Sequence, residues 1–313
     1  MSTLVRDASF LVTGGAGFIG SHLVTALLNG GARRIVVLDS LRTGRWSNVP
    51  DDARVTRMTA DLADIEEPDL RLGLHDVDYV FHLAAEKHNQ SADLPERVLE
   101  VNVNGTFRLF HAAAAARVKK AIFTSSLYAN GRYTLPAMSE GDLPQPRTVY
   151  GISKLTGEYL LRHFADLRST AFRLFFVYGP KQFSGGGYKS VIVSNFERIL
   201  RDEAPVINGD GEQSLDYVHV DDVVNALLLG LGEASDAQVI NIGRGSAISV
   251  SQLTQLMLEV AGSSLQPVHA PADWTAGSHR VCRNEKARQL LGWTPAVPLR
   301  EGLAGVHAWM KTA

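Results

Sequence analysis

The amino-acid sequence predicts an α/β protein: a Rossmann-type, doubly wound parallel sheet with a smaller C-terminal α/β lobe. Three observations point there. Short β-branched runs alternate with longer helical patterns through the first half of the 313 residues, the rhythm of strand–helix–strand units. Those runs are almost continuously apolar, as burial on both faces of a sheet requires. The first run ends in a glycine-rich turn, and the chain carries 28 glycines together with Ala-rich helical stretches, which suit α/β architecture better than all-β.

In chain order, Ser9–Thr13 reads as a buried strand and Gly17–Asn29 as the helix after it. Arg34–Leu38 and Val55–Thr59 are the next strands, Asp78–Leu83 the fourth and Lys120–Thr124 the fifth. Between the last two lies one long helix, Pro95–Arg117, with the alanine run Ala112–Ala116. A helix over Tyr150–Leu167 and a strand over Thr170–Phe176 come next. After Tyr178-Gly179-Pro180 the texture changes. Phe183–Tyr188 contains three glycines, Gly185 to Gly187, and predicts a loop able to close over a ligand. Val191–Asp202 is a helix, Asn208–Gln213 a turn, and Asp216–Val220 a strand. Asp221 or Asp222 is placed to cap the helix Val223–Leu231. Three more helices are expected at Val250–Ala261, Asn284–Leu291 and Leu299–Met310. This divides the chain into a dinucleotide-binding part, 1–170 with 214–242 returning to it, and a substrate-binding lobe from 171–213 and 243–313. The lobe is expected over the carboxyl edge of the sheet, where open α/β sheets bind ligands.

Composition narrows the function. Lys plus Arg is 31 against 33 Asp plus Glu, a formal charge of −2, which argues against a nucleic-acid binder driven by bulk charge. The lone Cys282 excludes an intrachain disulfide and any paired-cysteine metal or redox site, and a reducing compartment is the simplest reading. No apolar run approaches the ~18–20 residues of a membrane span. The N-terminal stretch lacks the apolar core of a secretory signal. A soluble, cytoplasmic protein without membrane or nucleic-acid partners is the expectation.

Three constellations carry chemistry. The turn Thr13–Gly20 (TGGAGFIG) puts Gly14, Gly17 and Gly20 between a strand and a helix. Absent side chains let backbone approach a pyrophosphate, and the helix N-terminus offers free N–H groups and a positive dipole end. Asp39 closes the second strand about 20 residues on, where a carboxylate accepts from a ribose 2′-hydroxyl and repels a 2′-phosphate, favouring NAD over NADP. Asp61-Leu62 after the third strand and Leu83-Ala84-Ala85 after the fourth suit the walls of that site. The second constellation is Tyr150 and Lys154, one turn apart on a single helix face. An ammonium beside a phenol favours the phenolate and makes it a usable base. The third is Thr124-Ser125-Ser126 at the end of the fifth strand, hydroxyls that face the crevice. Asp216, His219, Asp221 and Asp222 are metal-ligand types, but Asp216 and His219 fall on opposite faces of an alternating strand, and no metal is expected. Cys282 is expected to be a packed small residue.

These motifs extend over nearly the whole chain: TGGAGFIG (13–20), LDSLRTG (38–44), HLAA (82–85), VNVNGT (101–106), TSS (124–126), YGISK (150–154), FRLFFVYGP (172–180), GDGEQSLDYVHVDD (209–222) and KARQLLGW (286–293). With them the sequence resembles the extended short-chain dehydrogenase/reductase family, and within it the NAD-dependent nucleotide-sugar epimerases and dehydratases. The resemblance implies a catalytic Ser126, Tyr150 and Lys154. For the cofactor it implies Gly14, Gly17, Phe18, Ile19 and Gly20, then Asp39, Ser40, Arg42, Thr43 and Gly44. It adds Asp61, Leu62, Leu83, Ala84, Ala85, Lys87, Asn102, Ser125, Phe176 and Val177 to Tyr150 and Lys154. It also implies a homodimer built on the helices near 95–117 and 150–167.

Family members differ in the segment after strand five. Dehydratases and decarboxylases resemble S-T-D-E-V-Y-G or T-S-E-V-Y-G there. This chain has Leu127 and Tyr128 where those carboxylates stand, and the remaining pattern resembles the 4-epimerases, which need the triad and NAD alone. A dehydratase drawing its base from Glu86, a decarboxylase, a dehydrogenase, or an NAD-binding sensor outside the enzymes are the alternatives. Phe176 and Leu215 stand where many relatives hold the substrate diphosphate with Asn and Arg, so Lys189 and Arg280, with Lys87, Ser126 and Phe176, are the candidate substrate contacts. His88 reads as an exposed loop residue.

Overall fold

The computed structural model describes residues 4–88, 91–131, 136–182, 189–273 and 275–312; the expected Phe183–Tyr188 loop lies outside them. The first half builds a parallel sheet from β1 (Ser9–Thr13), β2 (Arg34–Asp39), β3 (Val55–Thr59), β4 (Tyr79–His82), β5 (Lys120–Ser126) and β6 (Ser169–Leu174). Far along the chain, β11 (Gln238–Ile242) joins the edge beside β6. The order β11-β6-β5-β4-β1-β2-β3 reverses direction between β1 and β4, and a crevice opens at such a switch point.

Alternation along each strand loads both faces. Phe10 and Val12 pack with Leu23, Leu27 and Val223 from α1 (Phe18–Asn29) and α7 (Val220–Leu229). Leu11 and Val36 pack with Leu70, Leu109 and Leu161 from α2 (Glu67–Leu74), α4 (Thr106–Ala115) and α5 (Val149–His163). Ala287 of α9 (Glu285–Leu291) and Trp293 belong to the first of these cores, although they lie in the stretch expected to form the lobe.

The lobe's own core gathers Ile192 and Phe196 of α6 (Val191–Leu200), Leu253 and Met257 of α8 (Val250–Ala261), and Leu303 and Val306 of α10 (Leu299–Met310) around Tyr178 and Tyr217. Three small sheets frame it. β7 (Phe176–Tyr178) pairs with β10 (Tyr217–His219); β8 (Val206–Asn208) pairs with β13 (Val268–Ala270); β9 (Ser214–Leu215) lies between β12 (Ile248–Ser249) and β14 (His279–Arg280).

Three expectations are corrected. The long helix between β4 and β5 is one rod of α3 (Pro95–Leu99), a π-helical segment Glu100–Gly105, and α4. The expected strand Thr170–Phe176 is two strands: at Phe175 the backbone still bonds Ile242, but Phe176 donates to Asp216 instead, handing the chain from the large sheet to the small one. Neither Asp221 nor Asp222 caps α7 with its side chain. The His219 ring accepts from the Asp221 amide, and the Asp222 carboxylate accepts from the amides of Ala296 and Val297 at 2.9 and 3.2 Å. Asp216 lies just before β10 and accepts from the amides of Arg244, Gly245 and Cys282, binding two segments of the lobe at one buried carboxylate.

Candidate active site

A cavity of about 880 Å³ runs along the carboxyl edge of the sheet, from Asp39 and Asp61, past Tyr150, to Tyr217 and Trp309. Its first wall is the turn after β1. Gly14 has φ +71°, and a Cβ there would stand 2.7 Å from the Ala84 amide nitrogen, so only glycine lets the turn and the β4 end close on each other. Asp39 locks the turn from the side: its carboxylate accepts from the amides of Ala16 at 3.0 Å and Leu41 at 2.8 Å. Burial raises its pKa, and the backbone donors Leu41, Ala16 and Gly17 pull it back down. The donor set fits a dinucleotide: a helix N-terminus behind glycines, with a carboxylate at the far rim.

Of the residues expected to hold the cofactor, Gly14, Gly17, Phe18, Ile19, Gly20, Asp39, Ser40, Arg42, Thr43, Asp61 and Leu62 all line this cavity. So do Leu83, Ala84, Ala85, Lys87, Ser125, Tyr150, Lys154, Phe176 and Val177. Gly44 and Asn102 do not appear in the lining. Gly44 sits against the Asp39 carboxylate, where a Cβ would be 2.7 Å from its oxygen. Asn102, on the π-helical segment, bonds the backbone of Glu86 in both directions and the Ser153 hydroxyl, so it holds the wall rather than forming it.

Ser126 closes β5 beside Tyr150 and shares a hydrogen bond with its hydroxyl. Burial pushes the phenol up to about 12 against that bond. The Lys154 ammonium donates to the Thr124 carbonyl at 2.8 Å; burial pushes it down to about 7, with the Glu158 carboxylate opposing. Near neutral pH the phenol therefore stays protonated while Lys154 sits close to its midpoint, and a charge entering the cavity shifts both.

Two expected substrate contacts are placed differently. Lys189 is paired with Glu197 at 2.5 Å and is absent from the lining. Arg280, on β14, lies with its guanidinium 5.3 Å from the Tyr128 ring centre rather than lining the cavity. His88 is no exposed loop residue. Its ring stacks on Tyr128 at 4.0 Å between centroids and meets Tyr150 edge-on at 6.0 Å. Burial first, then the Arg280 charge, lowers its pKa. Glu86 is engaged as well, 2.8 Å from Arg42 and 3.5 Å from Arg97, which also pairs with Asp61. The His88–Tyr128 wall, and the far arm made by Ile192, Leu200, Tyr217, Trp309 and Met310, carried no sequence signal, because they assemble from segments distant in the chain.

Fold and site together define a dinucleotide-binding α/β protein with a buried Tyr–Lys pair in its cleft. The NAD-dependent epimerase/dehydratase family matches residues 10–243, and the chain belongs to that family, with NAD as its cofactor. It is 37% identical to a UDP-glucose 4-epimerase of Mycolicibacterium smegmatis, covering 94% of this chain and 96% of the relative. It is 32% identical to a dTDP-glucose 4,6-dehydratase of Streptomyces griseus, with 96% and 93% covered. The solved UDP-glucose 4-epimerase of Thermotoga maritima with UDP-glucose superposes with a TM-score of 0.89 at 36% identity, covering 97% of this chain and 99% of that one.

Proposed function

We propose that the chain is a nucleotide-sugar 4-epimerase of the UDP-hexose type. The observation that carries this reading is the turn after β5: Leu127 and Tyr128 line the cavity beside Ser126, and neither is the carboxylate that the dehydratase pattern has there. Glu86, the carboxylate on which the dehydratase alternative would draw, is held by Arg42 and Arg97, which supports a role in the cofactor wall and not in proton transfer at the sugar.

Gly14, Gly17 and Gly20 would cradle the NAD pyrophosphate, with Asp39 on a ribose. When bound, NAD accepts a hydride from the sugar C4 and gives it back. The residues of the chain manage the proton. The Lys154 charge favours the Tyr150 phenolate, which takes the proton of the sugar 4-hydroxyl. The Ser126 hydroxyl holds the sugar oxygen on the Tyr150 side, and Tyr150 returns the proton after the ketone has presented its other face. The far arm, walled by Ile192, Tyr217 and Trp309, is shaped for the nucleotide end of the substrate, a mostly apolar pocket with a few polar groups. The reading includes a cytoplasmic location, in keeping with a buried unpaired thiol, and a homodimer.

Incubation with NAD and a panel of UDP-, dTDP-, GDP- and CDP-sugars in D₂O tests it. NMR and mass spectrometry are expected to find a C4 epimer of equal mass with no carbon-bound deuterium, and UDP-hexoses as the preferred substrates. Loss of water with deuterium incorporated makes the protein a dehydratase, loss of CO₂ a decarboxylase, and net accumulation of NADH a dehydrogenase.

A further inference from the structure

We propose that Glu158 is a positioning residue of the site, holding the end of β5 through Ser125 and sustaining the Lys154 ammonium, and that Arg173 exists to keep it there. The inference rests on the proposed epimerase reaction, in which Tyr150 and Lys154 move the proton.

Tyr150, Lys154 and Glu158 stand at i, i+4 and i+8 on α5, one stripe of the helix. Each grips a different residue of the β5 end. Tyr150 bonds the Ser126 hydroxyl, Lys154 donates to the Thr124 carbonyl at 2.8 Å, and Glu158 accepts from the Ser125 hydroxyl at 2.5 Å. From β6, Arg173 donates to both oxygens of the Glu158 carboxylate, at 2.9 and 2.7 Å, and to the side chain of Asn130 in the segment after β5. The two side chains are 3% and 4% exposed.

A buried ion pair is a poor device for stability alone, because an apolar pair of the same volume does as well. What an apolar pair lacks is an acceptor for Ser125 and a negative charge one turn from Lys154. The groups facing Lys154 are few. From α5 there are Tyr150 and Glu158; from β4, His82, kept neutral by burial; from β5, the Phe123 ring at 4.9 Å; and from β6, Arg173 behind the carboxylate. Burial drives the Lys154 ammonium toward neutrality, and Glu158 is the charge that opposes it.

The test compares wild type, Glu158→Gln, Glu158→Asp and the double variant Glu158→Gln/Arg173→Gln. The primary readout needs no substrate: the pH midpoint of acylation of the Lys154 amine, tracked by mass spectrometry, since only the neutral amine reacts. Removing the carboxylate lowers the midpoint by about one pH unit. The order expected is Glu158→Gln lowest, because Arg173 is left uncompensated, then the double variant, then wild type. Glu158→Asp keeps the wild-type midpoint. The pH–rate profile moves in parallel: a rate needing the Lys154 ammonium falls as pH rises through the same midpoint, so this limb shifts to lower pH. In Glu158→Asp the limb stays while kcat drops, because the shorter side chain releases Ser125. If Glu158→Gln does not fold, the double variant decides. Midpoints that coincide in all folded variants, with only thermal stability changed, overturn the inference. A wild type that turns over no sugar overturns the epimerase reading, and leaves the acylation result to judge Glu158 by itself.

Discussion

The base of the proposed reaction, Tyr150, is a poor base in isolation. A phenol titrates near ~10 in water, and burial here carries it to about 12. Lys154 is pushed the other way, to about 7. Both shifts arise from withdrawing charge from water, and an incoming positive charge beside the phenol reverses the first. In the proposed reaction the pair would therefore form phenolate only in a loaded site. Tyr150→Phe removes the proton acceptor and leaves the cavity wall intact. The variant is expected to lose about 10²–10⁴-fold in kcat, the usual worth of a positioned acid or base, with NAD affinity unchanged in a fluorescence titration. Equal losses in NAD affinity and turnover would move Tyr150 from catalysis to cofactor binding. At this scale much was legible in advance. The Gly turn, Asp39, and the Tyr150–Lys154 spacing are local patterns whose chemistry depends on neighbours within a turn or two. His88 against Tyr128 and Lys189 on Glu197 were not legible, since side-chain partners outside a repeat or motif are chosen by tertiary packing.

Elements show the same divide. Parallel strands came through because double-sided burial writes itself as apolar runs. The break between β6 and β7 did not, because Thr170 to Tyr178 reads as one apolar stretch and the switch is made by distant partners, Ile242 and Asp216. The π-helical segment was hidden likewise: a π turn changes one hydrogen-bond register without changing residue type, and such turns cluster at functional sites. Here it carries Asn102 toward the Glu86 backbone. Beneath that wall, β4 is tied to β1 and α4 by the wholly buried His82, whose ring bonds the hydroxyls of Thr13 at 2.7 Å and Thr106 at 2.8 Å. Burial, and then the Lys154 charge, lower its pKa from 6.5 to about 3. The unfolded chain binds a proton there below 6.5, and the folded one only near 3. Stability from this group is therefore whole above 6.5 and is lost as pH falls toward 3, at no more than ~1.4 kcal/mol per pH unit. His82→Phe, which suits the flanking Phe110 and Phe123 rings, takes the ring partner from the Thr106 hydroxyl and leaves Thr13 only the Ala84 amide, at about 1–3 kcal/mol for a lost buried partner. Urea unfolding at pH 7, 6, 5 and 4 should find it less stable at pH 7 but with a shallower decline toward acid. Parallel declines would mean that His82 is protonated in the folded protein.

At the scale of the whole molecule, the proposed homodimer would cover the helix that carries Tyr150 and Lys154. α5 packs beside α3, the π-helical segment and α4, and on the outer side of this pair Leu99, Phe107, Ile152 and Tyr159 are 41–52% exposed. Ile152 and Tyr159 lie two turns apart on one face of α5, with Thr156 between them, a continuous stripe on the helix that carries Tyr150 and Lys154 on its buried side. Scattered apolar residues on a surface need no partner, but a stripe shared by two adjacent helices suits the proposed homodimer. A two-fold pairing would bury it as a four-helix bundle. It would also stiffen α5 from behind, on the side away from β5, so association and the geometry of the Tyr150 stripe are coupled through one element. Light scattering on the purified protein is expected to give twice the 34.0 kDa of one chain. Phe107→Glu/Tyr159→Glu, which puts four like charges across the two-fold, is expected to give a monomer with the same circular dichroism and a lower kcat, because α5 loses its outer support. A wild-type protein that remains a monomer at all concentrations rules the bundle out. A monomeric variant with undiminished kcat would keep the dimer but separate it from the site, leaving the grip of β5 on Tyr150, Lys154 and Glu158 sufficient to hold the helix by itself.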